Sequence, residues 1–285
     1  MRQLSEISCA WRGRLEHLPE LPEVQTVVNS LKKIINTKIL DFNPIWNKIV
    51  YNHPSSSIIK VTKNKKVYNV QRLGKYIIII LKDTYIAFHL RMTGHLYNIT
   101  NLPTNKYIRC YFTLDNNTYL VYEDIRKFGG FYYLKNLELI NNKLGIDPFN
   151  KQFNFKWLLS NLKIKNRQIK SLLLDQKFIC GLGNIYIDEI LWKTKIHPLR
   201  ISSTLTKKEI TLLHKNIVTT LEKSIKYHGS TILNFKFDNM KTGGYSKYLN
   251  VYNKTNQKCS FCFNKITKIK VSSRGTHICR NCQKI

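Results

Sequence analysis

Acidic side chains are scarce in this chain of 285 residues: 17 Asp and Glu stand against 47 Lys and Arg, a formal charge of +30. The excess runs along the whole chain instead of sitting in one tail, which points to a polyanionic partner. AT-biased coding would account for 36 Lys over 11 Arg. It would not remove acids, whose codons need no GC bias, so nucleic acid is favoured over a merely solvated charged surface. Long apolar runs are also missing. None approaches the roughly 18 residues of a membrane helix, and the longest, Ile77 to Leu81, reads as a buried strand. Cysteines number seven, an odd count with no secretory signal ahead of it, which argues against a disulfide framework and for reduced thiols in the cytoplasm. At 43% apolar, the chain is long enough for two domains with their own cores.

Met1 to His17 differ from the rest: they hold three Arg but neither Lys nor Asn. Arg2, Arg12 and Arg14 suit a transit peptide, whereas Glu6, Glu16 and the short length argue against one. The segment is expected to be a misassigned or removed extension, with Leu18 written from a UUG or CUG codon read as initiator Met. This matters for Leu18-Pro19-Glu20-Leu21-Pro22-Glu23-Val24. An internal prolyl nitrogen is a tertiary amide and cannot attack anything. A terminal one is a secondary amine with a pKa of roughly 7.7 to 8, far easier to deprotonate than lysine near about 10.4.

From Pro22, the residues Val24, Val27, Val28, Leu31, Ile34 and Ile35 recur at helical spacing, with the proline suited to a first turn. Between about Ile39 and Leu137, short segments rich in Val, Ile, Tyr and Thr alternate with turn signals, predicting a β-sandwich or flattened barrel. After Leu144-Gly145-Ile146-Asp147-Pro148 the pattern becomes helical at Trp157–Leu162, Ile169–Asp175, Ile185–Trp192 and Thr206–Tyr227. The expected divisions are 1–18 as the extension, 19–148 as a β-sandwich domain, 149–250 as a helical domain and 251–285 as a metal-binding end. Gly243-Gly244 suggests a hinge in a mobile loop around Phe235 to Tyr245.

Cys259, Cys262, Cys279 and Cys282 form C-x2-C, sixteen residues, C-x2-C, the spacing of a zinc ribbon. Four protein ligands leave no open coordination position, so one Zn²⁺ here would be structural. Ser272 to Thr276 would lie at or near the hairpin tip, with Arg274 placed to meet a phosphate.

The LPELPEV start, Gly74-Lys75-Tyr76, His89-Leu90-Arg91-Met92-Thr93-Gly94, Asp124-Ile125-Arg126-Lys127-Phe128-Gly129, Asp175-Gln176 to Glu189, and the ribbon follow one another in a fixed order. Together they resemble bacterial formamidopyrimidine-DNA glycosylases from Pro19 to the C-terminus. The resemblance implies an α+β multidomain fold: an N-terminal β-sandwich with a flanking helix, then a helix-two-turn-helix domain with a zinc-ribbon hairpin, and DNA across the cleft between them. It implies a monomer acting on damaged double-stranded DNA, excising 8-oxoguanine and formamidopyrimidines and then nicking the abasic site. Pro19, once terminal, matches the nucleophile, Glu20 the catalytic acid, and Glu23 a supporting position. Met92, Arg126 and Phe128 match the wedge that fills the gap left by a flipped base. His89 falls in a DNA-binding motif. Lys75, Lys170, Asn184 and Arg274 match a phosphate clamp, with Lys75 and Arg274 also counted, beside Glu20, as proton donors. In Gly181-Leu182-Gly183-Asn184 the turn before a helix would offer its first N–H groups to phosphate. Lys127 and Lys254 stand where many members carry arginine, keeping charge but losing the bidentate fork. Two alternatives stay open: an endonuclease VIII-like enzyme for oxidised pyrimidines, and a noncatalytic zinc-ribbon DNA-binding protein if the extension is kept.

Overall fold

The computed structural model describes residues 18–230, 237 and 241–285. The expected extension with Cys9, and the part of the expected mobile loop up to 240 apart from Phe237, lie outside the described residues. Helix α1 (Leu21–Leu31) opens the described chain. Eight strands follow: β1 (Ile39–Pro44), β2 (Val67–Leu73), β3 (Tyr76–Leu81), β4 (Tyr85–His89), β5 (Gly94–Ile99), β6 (Ile108–Leu114), β7 (Tyr119–Asp124) and β8 (Gly130–Leu134), with a short helix α2 (Ile58–Thr62) after β1. They form two antiparallel four-stranded sheets of order β1-β6-β7-β5 and β2-β3-β4-β8. The sandwich expected from the strand pattern is therefore present.

The apolar run of β3 has a simple cause. Ile77, Ile79 and Leu81 enter the core between the sheets, while Tyr76 and Ile78 face a second apolar layer with Leu134 and Ile140 of the short helix α3 (Glu138–Asn141). A strand covered on both faces loses the usual apolar/polar alternation. Phe42, Phe88, Phe112, Tyr122 and Phe131 fill the centre of the sandwich, with tilted and edge-on rings 4.6 to 6.5 Å apart.

Helices α4 (Phe155–Lys163), α5 (Ile169–Leu174), α6 (Asn184–Lys193) and α7 (Lys207–Lys226) build the second core. Asn154 caps α4 by accepting the Trp157 N–H at 3.0 Å, and Thr206 and Glu209 form a capping box on α7. Strands β9 (Thr267–Val271) and β10 (Arg274–Ile278) make the expected hairpin, turning at Ser272 and Ser273 with φ of 49° and 61°. Helix α1 joins the two cores: Val24, Val27, Val28 and Leu31 belong to the sandwich, whereas Leu21 is buried among the second set of helices. The helix that carries the N-terminal motif is thus gripped from both sides.

Gly243 and Gly244, the expected hinge, lie at the described edge of the expected mobile loop. Gly244 pairs with Ser230 in an antiparallel bridge, its N–H donates to Tyr227 O at 2.8 Å, and the Tyr245 N–H donates to Gly229 O at 3.0 Å. These bonds join Tyr227, Gly229 and Ser230 to Gly244 and Tyr245. Among the described residues no helix is long and apolar enough to cross a membrane.

Candidate active site and nucleic-acid interface

A cleft of about 420 Å³ lies where the N-terminal motif, the β2–β3 turn, the start of α6 and the hairpin tip converge, lined by Glu20, Lys75, Arg167, Asn184, Ser272 and Arg274 among others. Leu18 also lines it, so Pro19 sits between two cleft residues and is itself half-buried.

Glu20 is the N-cap residue of α1, but its carboxylate serves another helix. Oε1 accepts the Ile185 N–H at 2.8 Å and Oε2 the Tyr186 N–H at 3.4 Å, both from the first turn of α6. The positive end of that helix therefore faces a carboxylate supplied by the protein itself. Two glycines make room. A Cβ on Gly183 would overlap the Glu20 carboxyl carbon, and one on Gly181, where φ is +91°, would come within 2.7 Å of the Leu21 side chain. Leu21 N–H donates to Gly181 O at 3.0 Å, and Gln176 braces the same turn by accepting the Gly181 N–H at 2.9 Å and donating to Leu182 O at 2.8 Å.

Burial raises the Glu20 carboxyl to about 7, with Glu23 pushing the same way and Lys75 and the two helix N–H groups opposing. Such an acid can hold a proton near neutrality and release it to a reacting atom. Lys75, half-buried at the β2–β3 turn, is lowered from its ordinary value by desolvation and by Arg274, against the attraction of Glu20 and Glu23. Glu23 is fully inside. Its carboxylate accepts the Glu20 N–H at 3.0 Å, the Tyr186 hydroxyl at 2.5 Å and the Ser230 N–H at 2.7 Å, and burial raises its pKa. It ties the motif to α6 and to the residue at the base of the 231–240 segment.

The expected wedge residues come together on one loop system. Arg126 lies over the Phe128 ring at 4.6 Å and donates to the Met92 sulfur at 3.3 Å, while Phe128 is 51% exposed. An exposed phenylalanine on a backbone held this tightly suits insertion between bases better than core packing. The holder is Asp124, fully buried at the end of β7. It accepts the N–H groups of Arg126, Phe128 and Gly129 at 3.0, 2.9 and 2.8 Å and the Thr93 hydroxyl. Tyr51 adds a bond from its hydroxyl to Phe128 O at 3.2 Å. His89 lies edge-on to Tyr76, with centroids 4.7 Å apart, and its Nδ1 accepts the Arg91 N–H at 3.1 Å. Burial, Arg91 and Lys75 pull its pKa to about 3. The ring is therefore neutral, with its hydrogen on Nε2 free to be donated.

Two clamp expectations are corrected. The α6 N–H groups expected to meet phosphate are occupied by Glu20. Asn184 instead donates from Nδ2 to Gly275 O at 2.9 Å, and its Oδ1 is buried without a partner among the described residues. Lys170 is the larger departure. Its side chain is 0% exposed and paired with Asp188 at 2.6 Å, so it has no surface from which to touch DNA. Arg274, by contrast, is exposed at the hairpin tip as expected.

Sequence reasoning gave Asp124, Gln176, Tyr186 and Asp188 no role. All four stood inside recognised motifs, a usable signal. Arg167, on the cleft wall in a 2.8 Å ion pair with Asp175, was also missed.

The sulfurs of Cys259, Cys262, Cys279 and Cys282 lie within 4.8 Å of one another, with two contacts of 3.3 and 3.9 Å. Tetrahedral Zn–S bonds of about 2.3 Å require sulfurs about 3.8 Å apart, so this all-thiol set fits one structural Zn²⁺. Cys110 and Cys180 are free and buried, so no disulfide pairs the described cysteines.

Family models match three consecutive segments: the formamidopyrimidine-DNA glycosylase N-terminal domain at residues 18–131, the formamidopyrimidine-DNA glycosylase H2TH domain at 144–236, and a zinc finger found in FPG and IleRS at 256–285. The formamidopyrimidine-DNA glycosylase of Mycoplasma genitalium is 39% identical over 94% of this chain and 96% of its own length. That of Protochlamydia amoebophila is 38% identical over 94% and 100%. Among solved structures, a Lactococcus lactis Fpg variant bound to Fapy-dG-containing DNA superposes with a TM-score of 0.87 at 36% identity, covering 94% of this chain and 100% of that one. The same organism's Fpg with abasic-site DNA gives 0.86 at 35% identity over 93% and 100%. With the sandwich, the helical core and the zinc finger all matched in order, this chain belongs to the formamidopyrimidine-DNA glycosylase family.

Proposed function

We propose that the protein is a bifunctional DNA repair glycosylase and abasic-site lyase for oxidised purines, acting once Pro19 is the first residue. The observation that carries this reading is Glu20: a buried acid raised to about 7, aimed by the start of α6 into the cleft it shares with Lys75 and Arg274. The relatives named above are formamidopyrimidine-DNA glycosylases, and their solved complexes hold Fapy-dG or abasic DNA. They favour neither the oxidised-pyrimidine alternative nor the noncatalytic one.

The unprotonated Pro19 amine attacks C1′ of the damaged nucleotide, the C1′–N bond to the base breaks with the electron pair leaving on the base, and the departing base takes up the proton that the proline nitrogen gives up. Glu20 gives its proton to the ring oxygen as the sugar opens, and the nitrogen lone pair forms the iminium. That cation acidifies C2′, so loss of a C2′ proton expels the 3′ phosphate. A second elimination expels the 5′ phosphate, with Lys75 and Arg274 as the nearby proton carriers. Lys75 and Arg274 position the backbone, His89 donates from Nε2, and Met92, Arg126 and Phe128 occupy the gap opposite the orphan base. Zinc on the four cysteines holds the ribbon and takes no part in bond making.

The free amine is supported by the alignments, in which nearly full-length relatives match about 94% of this chain and the first family model begins at residue 18. Four thiols kept reduced for zinc suit a cytoplasmic protein working at the nucleoid. Borohydride trapping on duplexes with 8-oxoguanine opposite C or thymine glycol opposite A is the test. A covalent adduct with the first duplex, made by the chain beginning at Pro19 and not by the 285-residue chain, is the expected result. No adduct from either chain refutes the nucleophile, and preference for the second duplex refutes the substrate class.

A further inference from the structure

We infer that Lys170 and Asp188 form a buried latch that sets the position of Arg274, making them positioning residues for the last elimination and for the phosphate held at the hairpin tip. This rests on the role given to Arg274 above. Burying an ion pair costs several kcal/mol of desolvation per ion and is repaid only when the remaining hydrogen-bonding capacity is filled. Here it is filled by the hairpin itself. Asp188 accepts Lys170 Nζ at 2.6 Å and the His277 N–H at 2.8 Å, with His277 Nδ1 at 3.3 Å. Lys170 also donates to Thr276 Oγ1 at 2.7 Å, and that hydroxyl donates to Arg274 O at 3.2 Å. Asn184 holds Gly275 O. Three consecutive residues of β10, Gly275 to His277, are thus gripped by side chains of α5 and α6, and Arg274 is held through Thr276.

The hairpin needs such a grip because its sheet has only two strands, which are marginal alone. The cysteine cluster ties down its far end, at Cys279, and the latch ties down the end nearer the tip. Helix α6 links both halves of the cleft: its first N–H groups hold Glu20, and Asp188, about one turn further on, holds the hairpin. The distance from the acid to Arg274 is therefore set through one rigid helix. Apolar side chains of the same volume would fill the space without specifying the strand's register or tilt.

The test uses zinc-loaded protein carrying Lys170→Met, Thr276→Val or the double change Lys170→Met with Asp188→Leu. Affinity for a duplex containing a tetrahydrofuran abasic analogue is measured in the 285-residue chain and in the chain beginning at Pro19. The latter also gives the borohydride-trapped fraction at saturating abasic DNA and the ratio of δ- to β-elimination ends. Lys170→Met and the double variant should each weaken binding roughly ten-fold, as for loss of one charged hydrogen bond, and lower the δ-to-β ratio. Trapping should stay within about two-fold, and Thr276→Val should shift the ratio the same way by less. If the single Lys170 variant does not fold, the double variant, with no unpaired buried charge, decides. Wild-type affinity and ratio in the double variant overturn the latch. So does a fall in trapping as deep as the fall in δ-elimination, which would place Lys170 at the reacting sugar. Absence of trapping in the unsubstituted Pro19 chain would sink the nucleophile assignment, while the affinity arm would still judge the latch.

Discussion

The wedge and the cleft are built in opposite ways. Asp124 organises the wedge within a few residues of chain, reaching three backbone N–H groups two to five positions ahead and one hydroxyl on the neighbouring turn. The cleft draws on segments as far apart as Glu20, Lys75, Gly183 and Arg274. A local device can be broken without disturbing the rest. An assembled one transmits any displacement to its proton chemistry, because Glu20 is held by a helix from the other core.

The largest effect expected from breaking this contrast is on the cleft side. Glu20→Gln keeps the shape and removes the proton, so single-turnover base release should fall roughly 10²- to 10⁴-fold, the range for a lost general acid. The unsubstituted enzyme should lose rate as pH rises through about 7, where Glu20 gives up its proton, and that limb should vanish in the variant. The same shift has a stability sign. The folded carboxyl binds its proton more tightly than the unfolded one, so its contribution is complete below about 4.5 and is lost as pH climbs towards about 7. Denaturant titrations of both proteins across that window should coincide at its lower end, where glutamine mimics the protonated acid, and separate as pH climbs towards about 7; parallel curves would mean Glu20 titrates normally.

On the wedge side, Asp124→Ala strands buried N–H donors and should cost about 2 to 4 kcal/mol of stability, one to two such groups at about 1 to 3 each. Excision from duplex DNA should suffer, yet cleavage of a single-stranded abasic oligonucleotide should be nearly spared. Equal loss on both substrates would erase the contrast drawn here. Phe128→Ala should separate the same two substrates with a stability change within about 0.5 kcal/mol, since the ring is half exposed. The smallest effect is expected from Tyr51→Phe, which removes one bond to Phe128 O and should slow duplex excision by no more than about three- to ten-fold.

Legibility in the sequence followed the same divide. The zinc ligands were readable because two C-x2-C pairs encode ligand geometry in their spacing. The grouping of Met92, Arg126 and Phe128 was readable because they sit in two short motifs, although Asp124 inside one of them passed unassigned. The fate of Lys170 was not readable. Helical periodicity can suggest that a position faces inward, but its counter-charge lies 18 residues on and its hydroxyl partner 106 residues on. The α6 N-terminus misled for a related reason: phosphate was expected there, but the anion its N–H groups hold is Glu20, 165 residues earlier.

What the sequence determined by itself is what depends on near neighbours: strands and helices from apolar periodicity, the metal from cysteine spacing, and a polyanionic partner from a charge of +30. Only the tertiary structure decided which charges face solvent and which face each other. That choice separates Arg274, exposed at the hairpin tip, from Lys170, sealed against Asp188. The reason is physical. A charge acquires its role from desolvation and from partners within a few ångströms, and both belong to the packed molecule instead of to the residue.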